Sequence, residues 1–447
     1  MTAAVLCVLA LATAYWAGKR SLGAGLIVLM AWGYGFGITR ANLLSPACYF
    51  IFDAALLGVY LSQRSTFFDD PKRLGALRIW AAILILWPAL VLLMPFQPML
   101  VALVGFRGSV LFLPMLLLGG LLRDRDIRQL AMGLAVLDLI ALAFACMEYF
   151  MGVPRFYPEN AATLIIYSSV DVVGGFYRIP AIFANAHLYG GTMVASIPYL
   201  AGGWDQARTR TGRVIPLIGI AAALLGVLMS ATRQNFIVAG VMVVVAMWNQ
   251  RMKPSRRVIF ALVIVALAVV ALKNERFQRF KSLSDTDYVE GRISGSVNRG
   301  FLEILLEYPM GNGLGGGGTS IPYFLEGQVR NPIGMENEYA RILSEQGIIG
   351  LAVWAAFIAW YLSRFKSSFG KGPWATARRL AWCSIVFWLV TGMIGTGMLT
   401  AIPSTAMMLM GMGWTAVQMR EEVDPRRYVA VQAPILKRPV YRPMPAV

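Results

Sequence analysis

Gln129-Leu-Ala-Met-Gly-Leu-Ala-Val-Leu-Asp-Leu-Ile-Ala-Leu-Ala-Phe-Ala-Cys-Met-Glu-Tyr-Phe150 is a long apolar run with two acidic side chains and no basic one. It follows directly on the charged hexapeptide Arg123-Asp-Arg-Asp-Ile-Arg128. About 20 consecutive apolar residues are what a helix needs to cross a hydrocarbon layer about 30 Å thick. A basic segment abutting such a run marks the end that stays in the cytoplasm. The stretch therefore predicts one transmembrane helix and assigns it a direction.

The same pattern recurs along the chain. Thirteen apolar runs are predicted as spans: 2–17, 22–38, 47–62, 79–96, 99–122, 129–150, 188–203, 214–230, 234–249, 257–272, 347–363, 380–398 and 402–419. The first lacks the basic start of a secretory signal peptide and is read as a true span with its N-terminus outside. The expected fold is all-α, a polytopic transmembrane bundle of 12–13 spans with a large, partly helical periplasmic loop between late spans. Composition agrees: 58% of the 447 residues are hydrophobic and 14% charged. A soluble domain carries about a quarter of its residues charged. Aqueous enzymes, disulfide scaffolds and disordered chains are thereby excluded.

The net charge of +17 could suggest nucleic acid, but its placement says otherwise. Segments 18–21, 63–78, 123–128, 204–213, 250–257, 364–379 and 420–447 together hold 27 lysines and arginines against 8 acidic residues. The rest of the chain holds 13 basic and 15 acidic residues. The excess records orientation: a multi-pass membrane protein, N-terminus outside and C-terminus cytoplasmic, with no nucleic-acid partner. Cys7, Cys48, Cys146 and Cys383 lie in or beside apolar runs without metal-ligand spacing, and read as small buried hydrophobes.

Four divisions follow: spans one to ten over 1–272 with an outer loop at 151–187, a large outer loop at 273–346, the last spans over 347–419, and a basic, Pro-rich tail over 420–447. Chemistry is expected in the two outer loops, because functional residues concentrate in loops held by a rigid scaffold. In the larger loop, apolar residues at 297, 301, 304, 305 and 308 predict a one-faced helix that Pro309 ends. Gly311-Asn-Gly-Leu-Gly-Gly-Gly-Gly318 then reads either as a flexible connector or as backbone N–H groups brought close to an anion. Glu338, Arg341 and Glu345 fall on one helix face, where a solvated ion-pair stripe is the plain expectation. Arg107 lies within an apolar run and Arg233 at the head of another. An arginine at such depth needs a partner or a function. Asp53 and Asp138, also within spans, offer internal pairing.

Several strings resemble elements of the O-antigen polymerase and ligase superfamily. Tyr308-Pro-Met-Gly-Asn-Gly-Leu-Gly315 resembles its P-x-G-x-G-x-G element, and Glu336-Asn-Glu-Tyr-Ala-Arg-Ile-Leu-Ser-Glu-Gln-Gly-Ile-Ile-Gly-Leu351 its H-N-x-Y-L…E-x-G-x-x-G-L element. Ser230-Ala-Thr-Arg-Gln234 resembles its S-x-S-R element, and Arg178-Ile-Pro-Ala-Ile-Phe-Ala-Asn185 its R-x-x-G-x-F-x-N-P element. The likeness covers 100–250 in outline and 290–355 in detail. One departure stands out: Glu336 occupies the family's usual histidine position.

The resemblance implies a membrane glycosyltransferase that uses a polyprenyl-pyrophosphate-linked glycan on the periplasmic side. Arg107, Arg233, Arg178 and Arg341 are the expected pyrophosphate contacts, since the guanidinium fork matches phosphate oxygens and keeps its charge. Glu336, or Glu338, is the expected base, and Asn337, Tyr339 and His187 the expected glycan contacts. Arginines take the place of a metal, so no metal and no other cofactor is expected. Expected partners are the lipid-linked glycan, an acceptor glycan and membrane lipids, with a chain-length regulator or export proteins as further candidates. A polymerase building exopolysaccharide or O-antigen is the favoured reading. The rivals are a ligase, a lipid-linked glycan transporter and a structural membrane subunit.

Overall fold

The computed structural model describes residues 2–68, 71–168, 177–247, 258, 290–291, 300–317, 321–333, 337–365, 374–393, 395 and 403–422. Among the described residues there are helices and no strand. The N-terminal half runs α1 (Thr2–Arg20), α2 (Leu22–Leu43), α3 (Ile51–Ser62), α4 (Pro71–Leu92), α5 (Met99–Val110), α6 (Met115–Leu121) and α7 (Asp124–Met151). A four-residue α8 (Leu164–Tyr167) lies in the outer loop, followed by α9 (Ala186–Asp205), α10 (Arg210–Met229) and α11 (Arg233–Met247). The late part comprises α12 (Gly300–Glu307), α13 (Glu338–Leu362), α14 (Ala375–Thr391) and α15 (Pro403–Glu422).

Twelve of the thirteen predicted runs coincide with helices, the third preceded by a 3-10 turn and the fifth divided between α5 and α6. The tenth, 257–272, lies outside the described residues apart from Val258. Seven described helices are long and apolar enough to cross a membrane, and Pro46–Ser62 and Arg233–Ala246 are shorter apolar helices. α9 is not among the seven. It carries Gly190, Gly191, Pro198, Gly202 and Gly203 and is buried almost from end to end. A helix enclosed by protein needs small residues for close approach more than it needs lipid-facing bulk.

Polar side chains start several helices. Ser21, Asn185 and Thr209 accept the backbone N–H of Ala24, Leu188 and Gly212 at the heads of α2, α9 and α10. Each satisfies a donor that the first helical turn leaves without an internal acceptor. α9 packs against α7, α10, α11 and α14, while α1 pairs with α3 and α6 with α15. Glycines permit the last contact: a Cβ on Gly119 would lie 2.1 Å from the Met408 carbonyl, and one on Gly411 2.0 Å from that of Leu116. One apolar core runs from α1 to α15. Asp138, buried at its centre, accepts hydrogen bonds from Tyr34 (2.6 Å) and Ser196 (2.7 Å), so hydroxyls rather than an arginine satisfy it.

Candidate functional site

The loop helix expected near 297–308 is observed as α12, and Ile304 seats it on Ala340 and Leu343 of α13. α13 breaks at Gly347, whose φ of 69° and ψ of −174° are open to glycine and strained for other residues. A break leaves backbone groups without intrahelical partners, and within a membrane protein these must be met internally. The glycine segment meets them. Asn312 N–H donates to the Ser344 carbonyl (2.6 Å), and Ile348 N–H donates to that of Pro309 (2.9 Å). Trp87 on α4 donates from Nε1 to the Gln346 carbonyl (2.9 Å).

The segment is no flexible connector. Gln97 donates from Nε2 to the carbonyls of Asn312 (2.8 Å) and Arg330 (2.9 Å), and Asn312 Nδ2 donates to those of Arg330 and Asn331. Gly105 on α5 lies so close that a Cβ there would meet the Gly315 nitrogen at 2.1 Å. The anionic group nearest the segment is the protein's own: a Cβ on Gly317 would meet Glu345 Oε1 at 3.1 Å.

Glu345 belongs to a buried triad. Arg341 donates to Glu345 Oε2 from Nη1 (2.6 Å) and to Glu338 Oε1 from Nη2 (2.7 Å) and Nε (3.2 Å). All three side chains are 0% exposed. The solvated stripe expected from the sequence is therefore corrected to an enclosed ion cluster, because the glycine segment covers the face that would otherwise meet water. Neither Glu338 nor Arg341 presents a side-chain atom to solvent in this arrangement.

Asn337 caps α13, accepting the N–H of Tyr339 (2.9 Å) and Ala340 (3.1 Å) on Oδ1. Tyr339 donates to the Leu389 carbonyl (2.6 Å), and Glu338 N–H donates to that of Gly392 (2.8 Å), so the end of α14 docks on the head of α13. Gln234 of α11 donates from Nε2 to the Thr391 hydroxyl and brings the 230–235 turn to the same place. Glu336, the expected base, lies outside the described residues, directly before the Asn337 cap.

Two further arginines converge here. Arg178 donates from Nη1 to His187 Nε2 (3.0 Å). A guanidinium only donates, so Nε2 is the acceptor and the ring proton sits on Nδ1. Arg233 heads α11, and Asn235, two residues on, donates from Nδ2 to the His187 carbonyl (3.2 Å). Two residues before Arg233, Ala231 has a φ of 50°. Three residues after Arg178, Ala181 has a φ of 52°. Tyr157 donates to the carbonyls of Ala181 (2.8 Å) and Phe183 (2.7 Å). Burial holds its phenol well above the usual tyrosine range, so it remains a donor.

Arg107 stands apart from this group. It makes a bidentate pair with Asp53, Nε to Oδ2 and Nη2 to Oδ1, and also donates to the Tyr49 carbonyl (3.3 Å). Internal pairing, the alternative open from the sequence, is what is observed. Its side chain is 24% exposed, so the pair is not sealed. Arg40, which the sequence did not mark, places its guanidinium 5.0 Å from the Tyr49 ring. Nor did the sequence mark Glu148, Tyr157 or Asn235. Each is an ordinary residue in an ordinary run until the chain folds. In the outer loop 273–346 the sequence also carries Asp285 and Asp287, an Asp-x-Asp pair outside the described residues.

An all-helical, multi-pass membrane protein with a cluster of basic and polar side chains at the heads of α9, α11 and α13 is the class that fold and site define. Residues 218–355, from within α10 to beyond the Gly347 break, match the family model described as O-Antigen ligase. That match supports the likeness of this part of the chain to the O-antigen ligase/polymerase superfamily. No curated protein matches the chain.

Proposed function

We propose that this protein polymerises polyprenyl-pyrophosphate-linked oligosaccharide repeat units on the periplasmic side of the bacterial inner membrane, extending an exopolysaccharide or O-antigen. The observation that carries this reading is the joining of Arg178, His187 and the Arg233 turn through the bond from Asn235 to the His187 carbonyl. Two permanent cations on one polar shelf suit a pyrophosphate, whose developing charge they stabilise as it leaves. Arg107, fixed by Asp53 yet partly exposed, offers a further contact. Arg341 serves as the clamp that holds the glycine segment.

In the proposed reaction Glu336 accepts the proton of an acceptor sugar hydroxyl. The hydroxyl oxygen forms the new bond to the donor's anomeric carbon. The bond from that carbon to the phosphate oxygen breaks, and the polyprenyl pyrophosphate departs with the electron pair. Tyr339 and His187 border the acceptor side of the shelf. A second reading, transfer of a finished glycan to a different acceptor, is favoured by the ligase description of the matching family.

Purified protein in proteoliposomes, supplied with a defined polyprenyl-pyrophosphate oligosaccharide, tests the proposal. Products lengthening by whole repeat units are expected, and Glu336→Ala should abolish them while donor binding persists. Single transfer to a separate acceptor would favour the ligase. Passage of donor across the vesicle without any new glycosidic bond would overturn both.

A further inference from the structure

Glu148 lies three residues from the end of α7, 0% exposed. Its Oε2 accepts the backbone N–H of Ala181 at 2.9 Å. Its Oε1 is buried and has no hydrogen-bond partner among the described residues. Burying a carboxyl group is unfavourable, and one with so few partners calls for an explanation. The explanation lies in what it holds. Phe183 N–H donates to the Pro180 carbonyl (3.0 Å), closing a tight turn with Ala181 at its first central position. A positive φ at that position belongs to primed turns, which glycine, asparagine and aspartate favour. Ala181 adopts it at 52° with a Cβ in place.

The turn is fastened on every side. Glu148 takes the Ala181 N–H, Tyr157 donates to the Ala181 and Phe183 carbonyls, and Ile38 N–H donates to that of Ile182 (3.2 Å). A strained backbone conformation persists only where its surroundings over-determine it. The segment leading out of the turn passes through Asn185, the cap of α9, to His187. The segment leading in carries Arg178, which bonds back to His187.

We propose that Glu148 is a positioning residue for the donor pyrophosphate. It holds Ala181 in the left-handed turn and thereby fixes Arg178 against His187. Tyr157 is its partner from the opposite, carbonyl side of the turn. This rests on the pyrophosphate role proposed above for Arg178.

The test is steady-state kinetics of the full-length protein in proteoliposomes, with KM for the lipid-linked donor separated from kcat. Glu148→Ala and Tyr157→Phe are each expected to raise the donor KM about fivefold or more while kcat stays within about twofold. Glu148→Gln retains an acceptor for the Ala181 N–H and should stay near wild type. Adding Ala181→Gly to Glu148→Ala should restore KM, because glycine adopts the positive φ without an anchor. In an Arg178→Ala background, Glu148→Ala should add nothing further.

Additive effects of Glu148→Ala and Arg178→Ala, a fall in kcat alone, or no recovery by glycine would overturn the inference. If Arg178→Ala leaves the donor KM unchanged, the pyrophosphate role of Arg178 falls and the inference with it. If Arg178→Ala raises KM but Glu148→Ala and Tyr157→Phe do not, the inference alone falls. Should Glu148→Ala fail to fold, Tyr157→Phe alone and in the Arg178→Ala background decides by the same criteria.

Discussion

Asn235 on α11 donates from Nδ2 to the main-chain carbonyl of His187 on α9, across 3.2 Å. The same Nδ2 also donates to Thr232 Oγ1 (3.0 Å), so one amide joins the Arg233 turn to the helix whose head receives Arg178. Asn235→Ala should cut this tie. Loss of a buried hydrogen bond costs about 1 kcal/mol of stability. The larger effect is expected in binding, as a several-fold weaker interaction with the lipid-linked donor, measured by titration into detergent-solubilised protein. Unchanged affinity would separate the two arginines functionally.

Removing Arg341 leaves two carboxylates facing each other without a cation. Breaking a buried ion cluster by deleting one partner costs about 3–5 kcal/mol. Arg341→Met should therefore lower the melting temperature of the purified protein sharply and expose the 311–317 segment to protease. Arg341→Met combined with Glu338→Gln and Glu345→Gln should recover much of the stability, since no uncompensated charge remains.

Substituting a methyl group at Gly315 should be severe. Gly315 has a φ of +83°, and a Cβ there would meet the Val101 carbonyl at 2.8 Å. Gly315→Ala is expected to lift the loop from α5 and α13 and abolish polymer formation. Gly240 on α11 supplies the control. A Cβ there meets nothing within 4 Å, so Gly240→Ala should leave stability unchanged or raised by up to about 1 kcal/mol. Equal loss in both variants would show that the close approach at Gly315 is not what matters.

The Arg107–Asp53 pair separates stability from function. Asp53→Ala should destabilise by leaving a partly buried guanidinium without its carboxylate. Replacing both, as Asp53→Leu with Arg107→Met, should restore thermal stability. Donor turnover should remain low if Arg107 contacts the pyrophosphate. Full activity of the doubly substituted protein would remove Arg107 from the reaction.

Chelation tests the metal. Turnover in excess EDTA should equal that in magnesium if arginines alone neutralise the leaving group. A loss reversed by added divalent cation would instead direct attention to Asp285 and Asp287.

The sequence alone determined the helical class, most of the helix positions and the resemblance to the superfamily. Hydropathy and charge bias are sums over neighbouring residues, and neighbours are all that a sequence displays. Its motifs also brought the right strings forward, Arg178 to Asn185, Ser230 to Gln234, Tyr308 to Gly315 and Glu336 to Leu351. What those strings meet was decided by tertiary structure. Arg107 and Asp53 are 54 positions apart and Glu148 and Ala181 are 33 apart. Gln97 reaches Arg330 across 233. The helix-face periodicity placed Glu338, Arg341 and Glu345 together, but only the folded glycine segment turned that face from water to interior. Burial depends on what covers a residue, and the cover comes from elsewhere in the chain.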